Sequence, residues 1–141
     1  APGVFSDAAP LATLTKLKKL RIGRKPLAHF AALATLTELG YLDADQAGIA
    51  DLKPLAKMTK LRNLQLLGNE IQDLSPLSQL PLDYVVLIKN QIADLTPLAQ
   101  NQSLTQGDSV WLEQNAFTCA AQAANLQALE ARGVTVSRDC Q

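Results

Sequence analysis

The sequence predicts an α/β repeat solenoid. Short coils stack with a parallel sheet on the concave side, short helical or 3-10 turns on the convex side, and a helix–strand cap at the C-terminal end. Three observations predict it. A leucine opens each unit at Leu11, Leu33, Leu55, Leu77 and Leu98, with spacings of 22, 22, 22 and 21 residues; self-similarity at such a period marks stacked repeats. Within a unit the apolar residues keep fixed offsets, with proline and asparagine punctuation, and not the one continuous 3.6-residue period of a long helix. Apolar residues make up 48% of the 141 and aromatics 4%, enough for a packed core that has to be aliphatic.

The third unit carries the fullest pattern: Leu55, Met58, Leu61, Leu64, Leu66, Asn69, Ile71 and Leu74. The first gives Leu14, Leu17, Leu20, Ile22, Leu27 and Phe30, and the second Leu36, Leu39, Leu42, Ala44, Ile49 and Leu52. The fourth drops one residue near Pro81 and recovers with Leu82, Val85, Leu87, Asn90, Ile92 and Leu95. The fifth gives Leu104, carries three extra residues around Gln106 to Asp108, and resumes with Val110, Leu112, Asn115 and Phe117.

This pattern is the leucine-rich-repeat signature, L-x-x-L-x-L-x-x-N-x-L/I. The segments Ile71-Gln-Asp-Leu-Ser-Pro-Leu77 and Ile92-Ala-Asp-Leu-Thr-Pro-Leu98 resemble the 22-residue class of bacterial internalins and related surface proteins, over about residues 5–117. The resemblance implies a leucine-rich-repeat horseshoe and extracellular recognition of a partner.

In each unit the x-Leu-x-Leu-x stretch forms a strand. Its leucines point inward, and the residues between them point to the concave surface. Asparagine at 69, 90 and 115 turns the chain, its amide bonding backbone groups that no strand satisfies. Lys25 and Ala47 hold that position in the first two units, so the N-terminal end is expected to be looser. The Asp-Leu-x-Pro-Leu segment crosses to the convex side, with proline in the first turn of a short helix. Asp7, Asp51, Asp73 and Asp94 stand three residues before those prolines and accept N–H bonds there; the repetition favours a cap in each coil over a metal site. His29, the only histidine, fills the same slot as a substituted cap.

The expected organisation is one domain, residues 1–141: a partial first coil over 1–10, five repeats over 11–117, and a cap over 118–141. The cap reads as a helix over 119–132, with Leu126 and Leu129 on one face, Thr118 as N-cap and Gly133 beyond its end. Val134 to Val136 then forms a short edge strand. Cys119 and Cys140 lie in the last 23 residues and suggest a disulfide that staples the end, and with it an oxidising compartment. With no Cys-x-x-Cys pair, a metal site is the weaker reading. At the other end the pattern starts inside a coil. Either a preceding segment has been removed, or Val4 and Phe5 close the core; the start Ala-Pro-Gly suits a mature N-terminus. A secreted, periplasmic or cell-surface location follows.

The formal net charge is zero, so no global field points to nucleic acid. Residues 1–62 hold ten of 13 bases and five of 13 acids, so the first half is +5 and the second −5. Six bases fall between Lys16 and Lys25, commonly just a solvated basic end. The longest strongly apolar run, Tyr84 to Ile88, is far short of a membrane span. Catalytic motifs are absent, including G-x-S-x-G, the Walker loop, G-x-G-x-x-G and H-E-x-x-H. No enzyme activity, cofactor or metal is expected. Asp43 and Asp45 are the one carboxylate pair on a single strand, and a hydrated acidic patch is their simpler reading.

The informative residues alternate with the strand leucines. They are Lys19, Arg21 and Gly23; Tyr41, Asp43 and Asp45; Asn63, Gln65 and Leu67; Tyr84, Val86 and Ile88; and Ser109, Trp111 and Glu113. Leu67, Tyr84, Val86, Ile88 and Trp111 are expected to form one exposed apolar patch over three strands. Tyr41, Arg21 and Asp43 form its charged flank, which sets orientation. Exposed Trp and Tyr are frequent interface anchors, so a protein ligand is the leading partner. Aromatic rings also stack on sugars, which keeps a carbohydrate or cell-wall ligand open. The other alternative is a structural spacer or adhesin segment of a larger surface protein whose concave face has no ligand of its own, its apolar residues reflecting strand propensity or a covering domain.

Overall fold

In the computed structural model, residues 6–140 are described. Six three-residue strands form one sheet in chain order: β1 Lys19–Arg21, β2 Tyr41–Asp43, β3 Asn63–Gln65, β4 Tyr84–Val86, β5 Ser109–Trp111 and β6 Thr135–Ser137. Every neighbouring pair is parallel. The missing residue near Pro81 and the three extra ones around Gly107 fall outside the strands, so Leu20, Leu42, Leu64, Val85, Val110 and Val136 stay in register across the sheet.

On the opposite side each coil makes a short turn. Those at Ala9–Thr13, Phe30–Thr35, Lys53–Leu55 and Ser75–Leu77 are 3-10, and the last, α1 Thr96–Gln100, is α-helical. Proline sits at the first or second position of all but the second turn. The aspartates act as expected: Asp7, Asp51, Asp73 and Asp94 each accept the backbone N–H two residues on, at 2.8–2.9 Å. His29 corrects its expected role. It makes no side-chain cap bond to its own turn. Its ring Nδ1 instead lies 2.9 Å from Asp7 Oδ1, one coil back. The imidazole is longer than a carboxylate and aromatic, so it reaches the neighbouring coil, and its backbone is left-handed with φ 58°.

Between sheet and turns lies an aliphatic core of stacked ladders. Leu33, Leu55, Leu77 and Leu98 form one; Leu52, Leu74 and Leu95 another; Ile49, Ile71, Ile92 and Phe117 a third, all buried. Among the described residues the outer side of the first coil is met only by the short segment 6–10, and the first coil's residues are less covered. Leu11, Leu17, Leu27 and Phe30 are partly buried, and Leu14 is 48% exposed where its counterparts Leu36 and Met58 are at 0%. Val4 and Phe5 lie outside the described residues.

The asparagine ladder is present. Asn69 Oδ1 accepts the N–H groups of Ala47 and Ile49, while its Nδ2 donates to the Ala44 and Leu66 carbonyls. Asn90 and Asn115 repeat the two carbonyl bonds in the following coils, and each Oδ1 accepts one N–H, of Ile71 and Ile92 respectively. A second device was not legible beforehand. The residue after each concave stretch is left-handed: Arg24, Gln46, Gly68, Lys89 and Gln114 have φ between 54° and 69°. A glycine at one of the five positions is too sparse a signal to read.

The cap helix α2 runs over Ala123–Ala131, shorter than the expected 119–132. Residues 119–122 form turns, in which the Thr118 hydroxyl accepts the Ala121 N–H. The Cys119–Cys140 disulfide, with Cα atoms 5.4 Å apart, holds those turns to the end of the chain. Gly133 follows the helix at φ 85°, a conformation that glycine adopts without strain. Arg132 fastens the cap: its guanidinium donates to the carbonyls of Ala99, Asn101 and Leu104.

Candidate functional site

Parallel register and strict alternation arrange the outward residues into three rows across the concave sheet. The first runs Lys19, Tyr41, Asn63, Tyr84, Ser109, Thr135, and the second Arg21, Asp43, Gln65, Val86, Trp111, Ser137. The third row, Gly23, Asp45, Leu67, Ile88 and Glu113, lies just past the strand ends. It is held by the bonds Arg24 N–H to Asp45 O, Gln46 N–H to Leu67 O, Gly68 N–H to Ile88 O and Lys89 N–H to Glu113 O. Gly23 is required there, because a β-carbon would stand 2.4 Å from the Asp45 carbonyl oxygen.

All the expected site residues stand on this face. Val86 is the register partner of both Gln65 and Trp111, and Tyr84 that of Asn63 and Ser109. Leu67 and Ile88 adjoin them in the third row. The five apolar residues are therefore contiguous. They are half-buried, however, and not fully exposed as the sequence led one to expect. At a strand spacing of about 4.8 Å, side chains in a row shield one another. Lys19 and Arg21, on the edge strand, are exposed; Tyr41 and Asp43 are half-buried.

The two ends of the face differ chemically. At the C-terminal end the Ser137 hydroxyl bonds to Glu113 Oε1, while Glu113 Oε2 and Trp111 Nε1 are buried without a hydrogen-bond partner. One is an acceptor and the other a donor, two residues apart beside the apolar patch. At the N-terminal end Tyr41 organises a polar network. Its hydroxyl accepts bonds from Arg21 Nη2 at 3.2 Å and Gln65 Nε2 at 3.1 Å. The guanidinium lies 5.7 Å from the ring centroid, and its Nε is 3.5 Å from Asp43 Oδ2. Asp45 Oδ1 accepts the Leu67 N–H at 2.8 Å. Burial nonetheless dominates and raises the Asp45 pKa above 3.8, helped by the charge of Asp43. On the convex turns Asp73 and Asp94 are lowered, chiefly by side-chain bonds with Ser75 and Thr96.

Sequence reasoning missed the links among these residues. Gln65 joins Tyr41 only because the second and third coils are in register. Glu113 meets Ser137 only because the cap adds a sixth strand. Neither contact has a local signature.

No protein-family model matches the chain, and no curated protein does. Solved structures do. Internalin InlF of Listeria monocytogenes is 31% identical over 97% of this chain, with a TM-score of 0.80. Internalin C2 of the same species is 31% identical over 94%, with a TM-score of 0.76. The chain spans 38% of the length of the first and 59% of the second. With the 22-residue period, the continuous parallel sheet and the asparagine ladder, these likenesses make the chain a leucine-rich-repeat solenoid of the internalin type.

Proposed function

We propose that the chain is a non-catalytic recognition module that binds a protein partner on its concave face, with Trp111, Tyr84, Val86, Ile88 and Leu67 as anchors. The observation that carries this reading is the contiguity of five large apolar side chains on three adjacent strands of an otherwise polar surface. A contiguous apolar patch rimmed by polar groups is the usual mark of a contact site. The unpaired Trp111 N–H and Glu113 oxygen support it, since a buried donor and acceptor without partners are costly unless something satisfies them. The Cys119–Cys140 disulfide supports a secreted, periplasmic or surface location.

The test is affinity capture of partners by the wild-type protein and by Trp111→Ala in parallel. A protein held by the first and lost by the second supports the reading. Equal capture by both means that the patch is not the site, and gives the lead to a spacer role. Capture of glycans alone gives the lead to a carbohydrate or cell-wall ligand.

A further inference from the structure

The N-terminal end of the concave face is rich in hydrogen-bond donors. A cavity of about 480 Å³ is lined by Lys19, Leu20, Arg21 and Tyr41. A second, of about 320 Å³, adjoins it through Arg21 and is lined also by Ile22, Gly23, Arg24 and Asp43. Three cations, Lys19, Arg21 and Arg24, thus line these two neighbouring cavities, and Lys19 and Arg21 line the first. Between Ala8 and Thr37 the chain has six Lys and Arg and no acidic residue.

Tyr41 decides what the first cavity accepts. Its hydroxyl oxygen receives bonds from Arg21 and Gln65. A phenol has one proton to donate, and no acceptor for it lies within bonding distance among the described residues. Arg21 spends Nε and Nη2 on Tyr41 and Asp43, while its side chain stays 76% exposed and no bond engages Nη1 among the described residues. The Tyr41 ring and the Asp43 carboxylate orient this guanidinium, and an oriented guanidinium is suited to the planar fork of a carboxylate.

We propose that this cavity is an oxyanion subsite, in which Lys19, Arg21 and the Tyr41 hydroxyl bind a carboxylate from an acidic segment of a protein partner. The proposal rests on the concave face being a docking surface. A long polyanion is disfavoured as the occupant. Further along the groove it meets Asp43, Asp45 and Glu113, and the second half of the chain carries −5. An occupant acidic at one end and apolar beyond it matches the whole face, and the subsite would fix its direction.

The experiment needs no identified partner. A hexaglutamate peptide and a sulfated oligosaccharide of similar charge are titrated separately into the intact protein. The Arg21 side-chain N–H and the Tyr41 ring signals are followed by NMR. The expected result is saturable, salt-sensitive binding of hexaglutamate centred on Arg21 and Tyr41, weakened about tenfold by Arg21→Ala and severalfold by Tyr41→Phe. A Lys57→Ala/Lys60→Ala control should leave it unchanged. Equal shifts at every lysine, no effect of Arg21→Ala, or tighter binding of the sulfated oligosaccharide would each overturn the proposal. Loss of partner capture in Trp111→Ala is a separate readout, so a failure of the subsite is distinguishable from a failure of the docking surface on which it rests.

Discussion

Asn90 reaches back one coil, and its Oδ1 accepts the Ile71 backbone N–H at 3.0 Å. Asn69 does more, serving Ala47 and Ile49 together. Replacing it with alanine leaves two N–H groups and the Ala44 carbonyl without their partner in a buried site, while the Leu66 carbonyl keeps its bond from Asn90. At about 1–3 kcal/mol for each group left unsatisfied, and with partial rescue by water, Asn69→Ala is expected to lose about 3 kcal/mol or more. Urea unfolding measures it. Asn115 is half-buried, so Asn115→Ala should lose less. A loss under about 1 kcal/mol at Asn69 would show that the ladder is incidental.

The left-handed residue that follows each concave stretch gives a prediction of opposite sign. Lys89 holds φ 58° and Gln114 φ 57°, where a β-carbon is strained by about 1–2 kcal/mol. Glycine relieves that strain but loses more entropy on folding. Lys89→Gly is expected to stabilise by a net of about 0.5–1 kcal/mol, read as a raised unfolding midpoint. Destabilisation would mean that the lysine side chain contributes more than its backbone strain removes.

The solenoid was legible because its cause is local and repeated. A leucine such as Leu64 has the same neighbours in every coil, so five aligned units announce one packing rule. Cys119 and Cys140 were legible as a pair through their isolation at the end of the chain. The extent of the concave patch was legible through alternation, but its half-burial was not, since shielding depends on side chains in neighbouring coils. His29 misled for the same reason: its slot is set by its own unit, but its bond goes to Asp7, 22 residues earlier. The cap helix began late because Thr118 bonds Ala121 in a preceding turn and not the first turn of α2.

The disulfide closes a span of 21 residues, which in the chain-entropy model stabilises by about 3 kcal/mol. Cys119→Ser/Cys140→Ser is expected to lose roughly that amount, with fraying confined to the cap in hydrogen exchange. Thiol titration of the denatured, unreduced protein should find almost none. Two titratable thiols in protein from its native compartment would remove the staple from the account.

Asp45 and Asp73 should respond oppositely to pH. The raised pKa of Asp45 means that the folded state holds its proton more tightly than the unfolded chain. Stability from this group therefore falls as pH rises from 3.8 through the raised value, and the deficit is complete above it. Asp45→Asn keeps an oxygen for the Leu67 N–H, so it should equal or exceed the wild type at pH 7 and lose that margin in acid. The pKa of Asp73 is lowered, so its contribution is present above 3.8 and vanishes as pH falls through the lowered value. Asp73→Asn should be less stable at pH 7, with the gap closing only in strong acid. Melting curves from pH 2 to 7 decide both.

The central claim is that the concave patch is a docking surface, and Trp111 tests it most directly. The ring stands beside Val86 in register, half-buried and outside the aliphatic core, so Trp111→Ala should still unfold cooperatively. The measurement is a calorimetric titration of wild type, Trp111→Ala and the convex-side control His29→Ala against the captured partner. The account predicts wild-type affinity for His29→Ala and a loss of about 2 kcal/mol or more for Trp111→Ala, roughly thirtyfold in Kd. A folded Trp111→Ala that binds as tightly as the wild type would contradict it.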